Sequence, residues 1–417
     1  MKNNSILETT GQDWANHLSH EVSGNGRLFL IALLPGGLDM EALRQAAADL
    51  TQLQPVLGCR FDDSQDPPLW VPQEDAVQVA EMAAEWLQEG LRQITQTPSP
   101  LHARLIITLL TTPRQTALCL GFDHAATDAG GAKGCLALLS QCYNARLAGR
   151  PMKTAAAADR SEKRVFDGCG IPDYRMALKR EAPAPGPIAT LPFTSLEGGE
   201  TAYRWLSLPL GHLRQPGATV NDRLLAAYAM AAAKAQAEPV PVELHFTVDL
   251  RRYLKENAAP AAANLSGMET VRADIAPEAS FHDVLEIIRT QTAQIKTGRP
   301  GLASAAMMCY MRAMPYHTAR ELLRLAGQKS RASGMAAPIL SNFGLFVPEN
   351  LAFGGAAVTD ILPLPPAMRA PAFLLGAGSY GGKLTLSAGF YPRERAADSV
   401  ERLLQTIREI LMDAAKK

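Results

Sequence analysis

The sequence predicts an α/β protein organised in two halves. Strand-like and helix-like segments alternate from residue 27 to the end of the chain, which is typical of sheets covered by helices. A length of 417 residues exceeds what one ordinary hydrophobic core accommodates. Residues 171–201 contain a Pro-rich run and few periodic positions, which is typical of a linker. We therefore expect one domain at 1–170, a linker at 171–201 and a second domain at 202–417.

The first half opens on an apolar strand followed by an amphipathic helix. Residues 27–34 form an apolar run that ends at a Pro-Gly-Gly turn, and apolar side chains then recur at helical spacing from Met40, after Asp39 as the N-cap. Pro55 ends that helix. The other elements predicted here are a strand at 56–61, a strand hairpin at 103–110 and 116–122, and a helix at 130–147.

The second half follows the same alternation. Its strongest signal is a helix at 220–237, where Thr219 and Asp222 have the spacing of a capping box. Residues 376–381 fit a Gly-x-Gly-x-x-Gly phosphate-loop pattern, but a strand-like segment follows where a helix is required, so we interpret them as a hairpin turn. The predicted strands are 202–208, 242–248, 339–346, 372–376 and 383–390, and the other predicted helices are 281–297, 316–327 and 396–415.

The composition argues against several classes of protein. Lysine plus arginine and aspartate plus glutamate both number 41, and no basic stripe is present, so we expect no nucleic-acid partner. The six cysteines form no Cys-x-x-Cys pair and no His/Cys cluster with ligand spacing, so we expect reduced thiols and no metal site. The sequence shows neither an apolar signal core nor a stretch long enough to cross a bilayer, so we expect a cytoplasmic protein without a transmembrane segment.

A histidine follows directly on one of the predicted strands. Residues 123–130 read Asp-His-Ala-Ala-Thr-Asp-Ala-Gly. A strand end presents a side chain in a fixed and accessible position, and an unperturbed imidazole takes a proton near neutral pH. Asp128 begins the next helix, where a carboxylate caps free backbone N–H groups. His124 and Asp128 are therefore the candidate catalytic pair; the alternatives are a hydrogen-bonded structural histidine and a simple helix cap.

This segment resembles the His-x-x-x-Asp-Gly motif of the superfamily that contains chloramphenicol acetyltransferase, nonribosomal peptide condensation domains, and alcohol and wax-ester acyltransferases. Other segments resemble the same superfamily in the expected order over most of the chain, and this ordered spacing carries the resemblance. They are an amino-terminal helix and strand at 38–43 and 54–61, a Thr-x-Asn-Asp helix start at 219–222, an arginine segment at 248–251, an Asn-x-x-Gly segment at 264–267, and a Ser-Asn-x-Gly strand at 341–344.

The resemblance implies two chloramphenicol acetyltransferase-like subdomains, with mixed β-sheets flanked by helices and an active-site tunnel between them. It implies that His124 is the general base and that Asp128 is structural, pairing with an arginine for which Arg251 is the candidate. From the residues alone, Arg251 could equally be a surface residue, and the segment at 341–342 could end an ordinary strand. The resemblance also implies that Gly130 supports the site structurally. It places Asn264, Ser341 and Asn342 at the tunnel, where the substrate binds.

Two positions depart from the superfamily pattern. Ala129 follows the aspartate where the family has glycine, and Gly130 comes one place later, which can alter the turn. Asp123 stands where many members have a second histidine, and its carboxylate would raise the pKa of His124 if it faced the ring.

The implied activity is that of an acyltransferase. An acyl group would move from a thioester, on coenzyme A or on an acyl carrier protein supplied in trans, to a hydroxyl or amine acceptor, with no metal or prosthetic group as cofactor. The expected partners are thus a small-molecule donor and acceptor. The alternative is a catalytically inactive binding or docking module that keeps the condensation-domain fold.

Overall fold

Two mixed β-sheets, each flanked by helices, carry the fold in the computed structural model of the protein. The structure describes residues 6–96, 102–150, 152, 159–178, 186–214, 216–254 and 262–414. The strands in chain order are β1 (Leu7–Glu8), β2 (Arg27–Leu34), β3 (Cys59–Asp62), β4 (Leu69–Pro72), β5 (Val77–Ala83), β6 (Leu105–Thr111), β7 (Thr116–Asp123), β8 (Ala202–Pro209), β9 (Val242–Asp249), β10 (Ser266–Ala273), β11 (Ile339–Leu345), β12 (Ala352–Phe353), β13 (Ala356–Ala357), β14 (Asp360–Leu364), β15 (Leu374–Tyr380) and β16 (Lys383–Phe390). The α-helices are α1 (Gly11–Val22), α2 (Met40–Leu53), α3 (Leu87–Gln96), α4 (Ala129–Leu147), α5 (Lys163–Gly168), α6 (Val220–Lys234), α7 (Phe281–Thr297), α8 (Leu302–Arg312), α9 (Tyr316–Ser333) and α10 (Ala396–Ala414).

The first sheet has the strand order β14-β2-β7-β6-β5, with β7 in the middle. Strand β7 is antiparallel to both neighbours, and every one of its residues is buried. Its apolar side chains share one core with those of α2 and α4. Arg27 on β2 pairs with Asp123, the last residue of β7, so His124 leaves the sheet opposite Gly26. The chain is thus held on both sides up to the residue before His124.

The second sheet has the strand order β10-β9-β11-β15-β16-β8. Strand β11 runs parallel to β9 and β15, whereas the other pairs are antiparallel. Helices α6, α7 and α10 supply the apolar side chains that cover it. The pairing of β11 is irregular between Asn342 and Gly344, and Gly344 has a φ of +74°, a backbone conformation that favours glycine.

One strand from the second half of the chain joins the first sheet. Strand β14 lies late in the chain but pairs antiparallel with β2 in the first sheet, while α1 packs against α8 and α9. The division at 1–170, 171–201 and 202–417 remains a prediction, and residues 179–185, which hold most of the Pro-rich run, lie outside the described residues.

The structure differs from the predicted elements at several places. Residues 56–61, predicted as a strand, divide into a 3-10 helix at Pro55–Gly58 and strand β3 at Cys59–Asp62, because a short apolar run buried under α2 does not by itself specify either conformation. Several elements were not predicted: helices α1, α3, α5 and α8, and strands β1, β4, β5, β10, β12, β13 and β14. Residues 376–381, interpreted as a hairpin turn, lie mostly in strand β15, which extends to Tyr380. The hairpin is present, but its turn is at Gly381 and Gly382, before β16.

Candidate active site

His124 is the first residue after β7, and its backbone is tied to the neighbouring strand. The His124 N–H donates to the carbonyl of Gly26 at 2.8 Å. Gly26, which precedes β2, has a φ of +57°, so the turn that receives this hydrogen bond favours glycine. The position of the histidine is therefore set by the β2–β7 pairing and not by the loop alone.

The loop that follows, residues 123–128, is anchored from several directions. The Asp123 carboxylate accepts from the Ala125 N–H at 2.8 Å, and the Asn264 amide donates to the Ala125 carbonyl at 2.7 Å. The Arg160 guanidinium donates to the Ala126 carbonyl at 3.0 Å. These contacts come from segments far apart in the sequence, so the loop depends on the assembled fold.

Asp128 closes the loop as the N-cap of α4. Its Oδ1 accepts from the Gly131 N–H at 2.8 Å and its Oδ2 from the Leu265 N–H at 2.7 Å. Arg251 completes the set, with Nη2 at 2.9 Å from Oδ1 and Nη1 at 3.1 Å from Oδ2. Burial alone would raise the pKa of Asp128, but the Arg251 guanidinium and the backbone donors hold it below its usual range. Asp128 is thus an ionised structural residue that joins α4 to β10.

Gly130 makes room for the arginine. A Cβ on Gly130 would lie 2.6 Å from Nη1 of Arg251 and 3.2 Å from a carboxylate oxygen of Asp249. A side chain at this position would therefore push Arg251 away from Asp128, which explains a glycine here despite its low helix propensity.

A cavity of about 340 Å³ opens between the two sheets and reaches His124. Its wall comes from α1, the start of α4, and strands β9, β10 and β11. The lining residues are Asn16, Ser19, Ser23, Gly24, Gly26, Leu28, His124, Asp128, Ala129, Gly130, Lys133, Thr247, Val248, Asp249, Arg251, Ser266, Met268, Ile339, Ser341, Asn342, Phe343, Gly344, Pro366, Met368 and Leu374. The wall mixes apolar and polar side chains, as small-molecule sites do.

The His124 ring is suited to act as a neutral base. Burial lowers its pKa, although its own backbone, Asp128 and Asp123 oppose that shift. The ring is thus unprotonated at neutral pH. Asp123 does raise the pKa of His124, as expected from the sequence, but burial lowers it by more. Nδ1 is buried without a hydrogen-bond partner among the described residues, and the residue lines the cavity.

The residues expected at the tunnel fall in two places. Ser341 and Asn342 line the cavity, and the Asn342 amide donates to the Asn221 side chain at 3.2 Å. Asn264 is 1% exposed and is not part of the cavity wall. Its amide donates to the Ala125 carbonyl and to the Asp13 carboxylate at 3.0 Å, so Asn264 supports the loop from behind.

Sequence reasoning missed the contribution of α1. Asn16, Ser19 and Ser23 lie at helical spacing and face the cavity. The signal that was available is the capping box formed by Thr10 and Asp13 at the start of this helix. Lys133 on α4 was also missed; it reaches the cavity and donates to the Phe343 and Leu345 carbonyls at 3.2 and 3.4 Å.

A larger cavity, of about 850 Å³, lies beside α5 and the start of α1 and does not include His124. It contains the buried Glu162, which accepts from the Gln12 N–H at 3.0 Å, and burial raises the pKa of Glu162 to about 7. The larger of these two cavities is therefore not the one that contains the His-x-x-x-Asp segment.

The described residues contain no group of three His, Cys, Asp or Glu side chains placed to hold a metal ion. Within the same part of the chain, no helix combines the length and apolar character needed to span a bilayer.

Comparison with solved structures identifies the fold. The chain is similar to polyketide synthase associated protein 5 from Mycobacterium tuberculosis, with 17% identity and a TM-score of 0.67 over all of both chains. It is similar to a mutant starter condensation domain of rhizomide synthetase in complex with C8-CoA, with 16% identity and a TM-score of 0.67 over 98% of this chain and 96% of that one. The epimerization domain of the third module of tyrocidine synthetase B matches at 12% identity, with a TM-score of 0.60 over 99% and 98% of the two chains.

No protein-family model and no curated protein sequence matches the chain. The structural matches nevertheless extend over nearly the whole chain, and they include condensation domains of rhizomide synthetase, of Monacolin K polyketide synthase and of the calcium-dependent antibiotic synthetase. The chain has the condensation-domain fold, with two chloramphenicol acetyltransferase-like subdomains.

Proposed function

We propose that the protein is an acyltransferase that moves an acyl group from a thioester to a hydroxyl or amine acceptor, with His124 as the general base. The observation that carries the proposal is the placement of a desolvated imidazole in a cavity between the two sheets. A neutral imidazole next to bound reactants is the arrangement that general-base catalysis requires.

The reaction follows from the state of the ring. His124 takes the proton from the acceptor O–H or N–H as the acceptor attacks the thioester carbonyl carbon. A carbon–oxygen or carbon–nitrogen bond forms and the carbon–sulfur bond breaks. The thiolate leaves and takes up the proton held by His124, so the enzyme returns to its starting state with no external oxidant or reductant.

The neighbouring residues Asp128, Arg251 and Gly130 support the base without contacting the reacting atoms. Asp128 has each oxygen occupied by two donors, which leaves it no free lone pair directed at a substrate. We propose that it fixes the loop and that Arg251 and Gly130 fix Asp128. Ser341 and Asn342 lie in the cavity wall and are placed to contact a substrate.

Coenzyme A and an acyl carrier protein remain alternative donors, since both present the same thioester. The similar starter condensation domain is described in complex with C8-CoA, and polyketide synthase associated protein 5 is named for its association with a synthase. The free state of the cysteines in the structure fits a reaction in the reducing cytoplasm.

The experiment is incubation of the full chain with a panel of acyl thioesters and of alcohol and amine acceptors, with thiol release as the readout. Coenzyme A thioesters and thioesters on a carrier protein form separate arms. Thiol release that requires an acceptor and is lost in His124→Ala supports the proposal. Release that is equal in the two proteins contradicts a role for His124.

The second candidate is an inactive docking module of the same fold. Ala129 and Asp123, which depart from the superfamily pattern, favour it. A side chain that closed the approach to His124 would also favour it, but the cavity at His124 is open. Binding of an acyl thioester without turnover for any acceptor in the panel would support this candidate instead.

A further inference from the structure

A second histidine, His20, lies behind the loop that carries His124. It belongs to α1, the helix whose Asn16 and Ser19 line the cavity together with Ser23 at its C-cap, but His20 itself is not in the cavity wall. The His20 side chain therefore extends from α1 towards the end of β7 and not into the cavity wall.

His20 contacts the two segments between which the His124 peptide is held. Its Nε2 lies 3.4 Å from Oδ1 of Asp123, the residue before His124. On the other side, a Cβ on Gly26 would lie 2.2 Å from the same nitrogen, so the ring packs directly against the glycine backbone. Gly26 is the residue whose carbonyl accepts the His124 N–H.

Asp123 connects His20 to the loop that carries His124. Its Oδ1, which faces His20, also accepts from the Ala125 N–H, and its other oxygen forms an ion pair with the buried Arg104. The Asp123 side chain is 3% exposed and that of His20 is 28% exposed. A buried carboxylate held in this way has no freedom to move without moving the loop.

The charged and titratable groups around this contact come from every neighbouring element. They are His17 on α1, Arg27 on β2, Arg104 before β6, Asp123 on β7 and His124 itself. Asp123 raises the pKa of His124, whereas His20 lowers it. The two partners of one contact thus act on the base in opposite directions.

We propose that His20 is a positioning residue for His124, holding Gly26 and Asp123 so that the base is presented to the cavity in one orientation. The expected change in kcat rests on the proposed function, whereas the expected effect of His20 on the His124 ring does not.

The test compares His20→Gln with wild type, with His17→Gln as the matched control on the same helix. His17 stacks on Phe61 with ring centroids 4.0 Å apart, and burial lowers the pKa of His17 to about 4, so its replacement removes packing without removing a charge at neutral pH. For His20→Gln we expect kcat to fall by about 10-fold with little change in KM, because a misplaced base loses part of its effective molarity.

The second readout is the titration of the His124 ring by NMR, assigned with His124→Ala, which requires no turnover. We expect the pKa of His124 to rise in His20→Gln and to fall in Asp123→Asn. If Asp123→Asn does not fold, the titration of His124 in His20→Gln alone tests the proposal. The His20 side chain is partly exposed, so we expect this variant to fold.

The outcomes separate the two hypotheses. A shifted His124 titration in a protein without thiol release supports the positioning role and rejects the acyltransferase. Thiol release with a His124 titration that is unchanged by His20→Gln overturns the positioning role, as does a loss of kcat that His17→Gln reproduces.

Discussion

The two ends of the 123–128 loop have opposite environments. At one end, Asp128 has both oxygens occupied by backbone donors and by Arg251. At the other end, the His124 side chain makes no hydrogen bond to another described residue and faces a cavity. The difference separates the two roles, because a satisfied buried carboxylate stabilises structure, whereas an unsatisfied neutral imidazole is available for a proton.

The largest expected effect is the loss of activity in His124→Ala. Removal of the general base should lower kcat by ~10²–10⁴-fold, the range typical of such groups. Because the ring makes no hydrogen bond to the rest of the described structure, we expect little loss of stability. Thiol release and thermal unfolding measured on the same preparation test this directly. If His124→Ala were strongly destabilised but its folded fraction kept the wild-type specific activity, His124 would be structural and not catalytic.

The second prediction concerns the other end of the loop. Asp128→Ala leaves Arg251, whose side chain is 16% exposed, without its main partner, and leaves two backbone N–H groups unpaired. We expect a loss of about 3–5 kcal/mol in the free energy of unfolding, as for a broken buried ion pair. The measurement is denaturant unfolding.

Asp249→Asn is the matched control for this prediction. Asp249 also contacts Arg251, at 3.3 Å, but its side chain is 53% exposed. Its replacement should therefore cost only ~0–1 kcal/mol. Equal losses in the two variants would show that burial does not distinguish these carboxylates.

The third prediction tests whether the Asp128 end depends on space as well as charge. A methyl group at Gly130 would lie 2.6 Å from Nη1 of Arg251, which is held in place by Asp128. We expect Gly130→Ala to cost about 1–3 kcal/mol in the free energy of unfolding, despite the better helix propensity of alanine. Gly36→Ala, where a Cβ has no neighbour within 4 Å, is the control. A stabilised Gly130→Ala would mean that Arg251 moves freely.

The sequence predicted those features of the loop that depend on residues close together in the chain. The α/β class, the β7 strand and the Asp128 cap follow from patterns within a few residues of His124. The partners of the loop do not, since Asn264, Arg160 and Gly26 reach it from distant segments. The pairing of β14 with β2 likewise depends on tertiary contacts that no local pattern encodes.

The residues around the cavity show the same limit. Ser341 and Asn342 were identified only through the resemblance, and Asn264, expected beside them, supports the loop from behind. Helix α1 was not predicted because its apolar residues are few and its stability comes from packing on α8 and α9.

The smallest expected effect is a change of stability with pH at the His124 end. Burial lowers the pKa of His124 in the folded protein, so below the ordinary imidazole value of ~6.5 the unfolded chain binds more protons. The contribution of His124 to stability should therefore decrease as the pH falls through ~6.5. In the folded protein the imidazole should remain unprotonated somewhat below that pH, so activity should persist there. Denaturant unfolding of wild type and His124→Ala over a pH series isolates this contribution, with His317→Ala, an exposed residue, as the control. If the difference between wild type and His124→Ala did not vary with pH, the ring would be solvated in both states. The contrast between the two ends of the loop would then rest on hydrogen bonding alone and not on desolvation of the base.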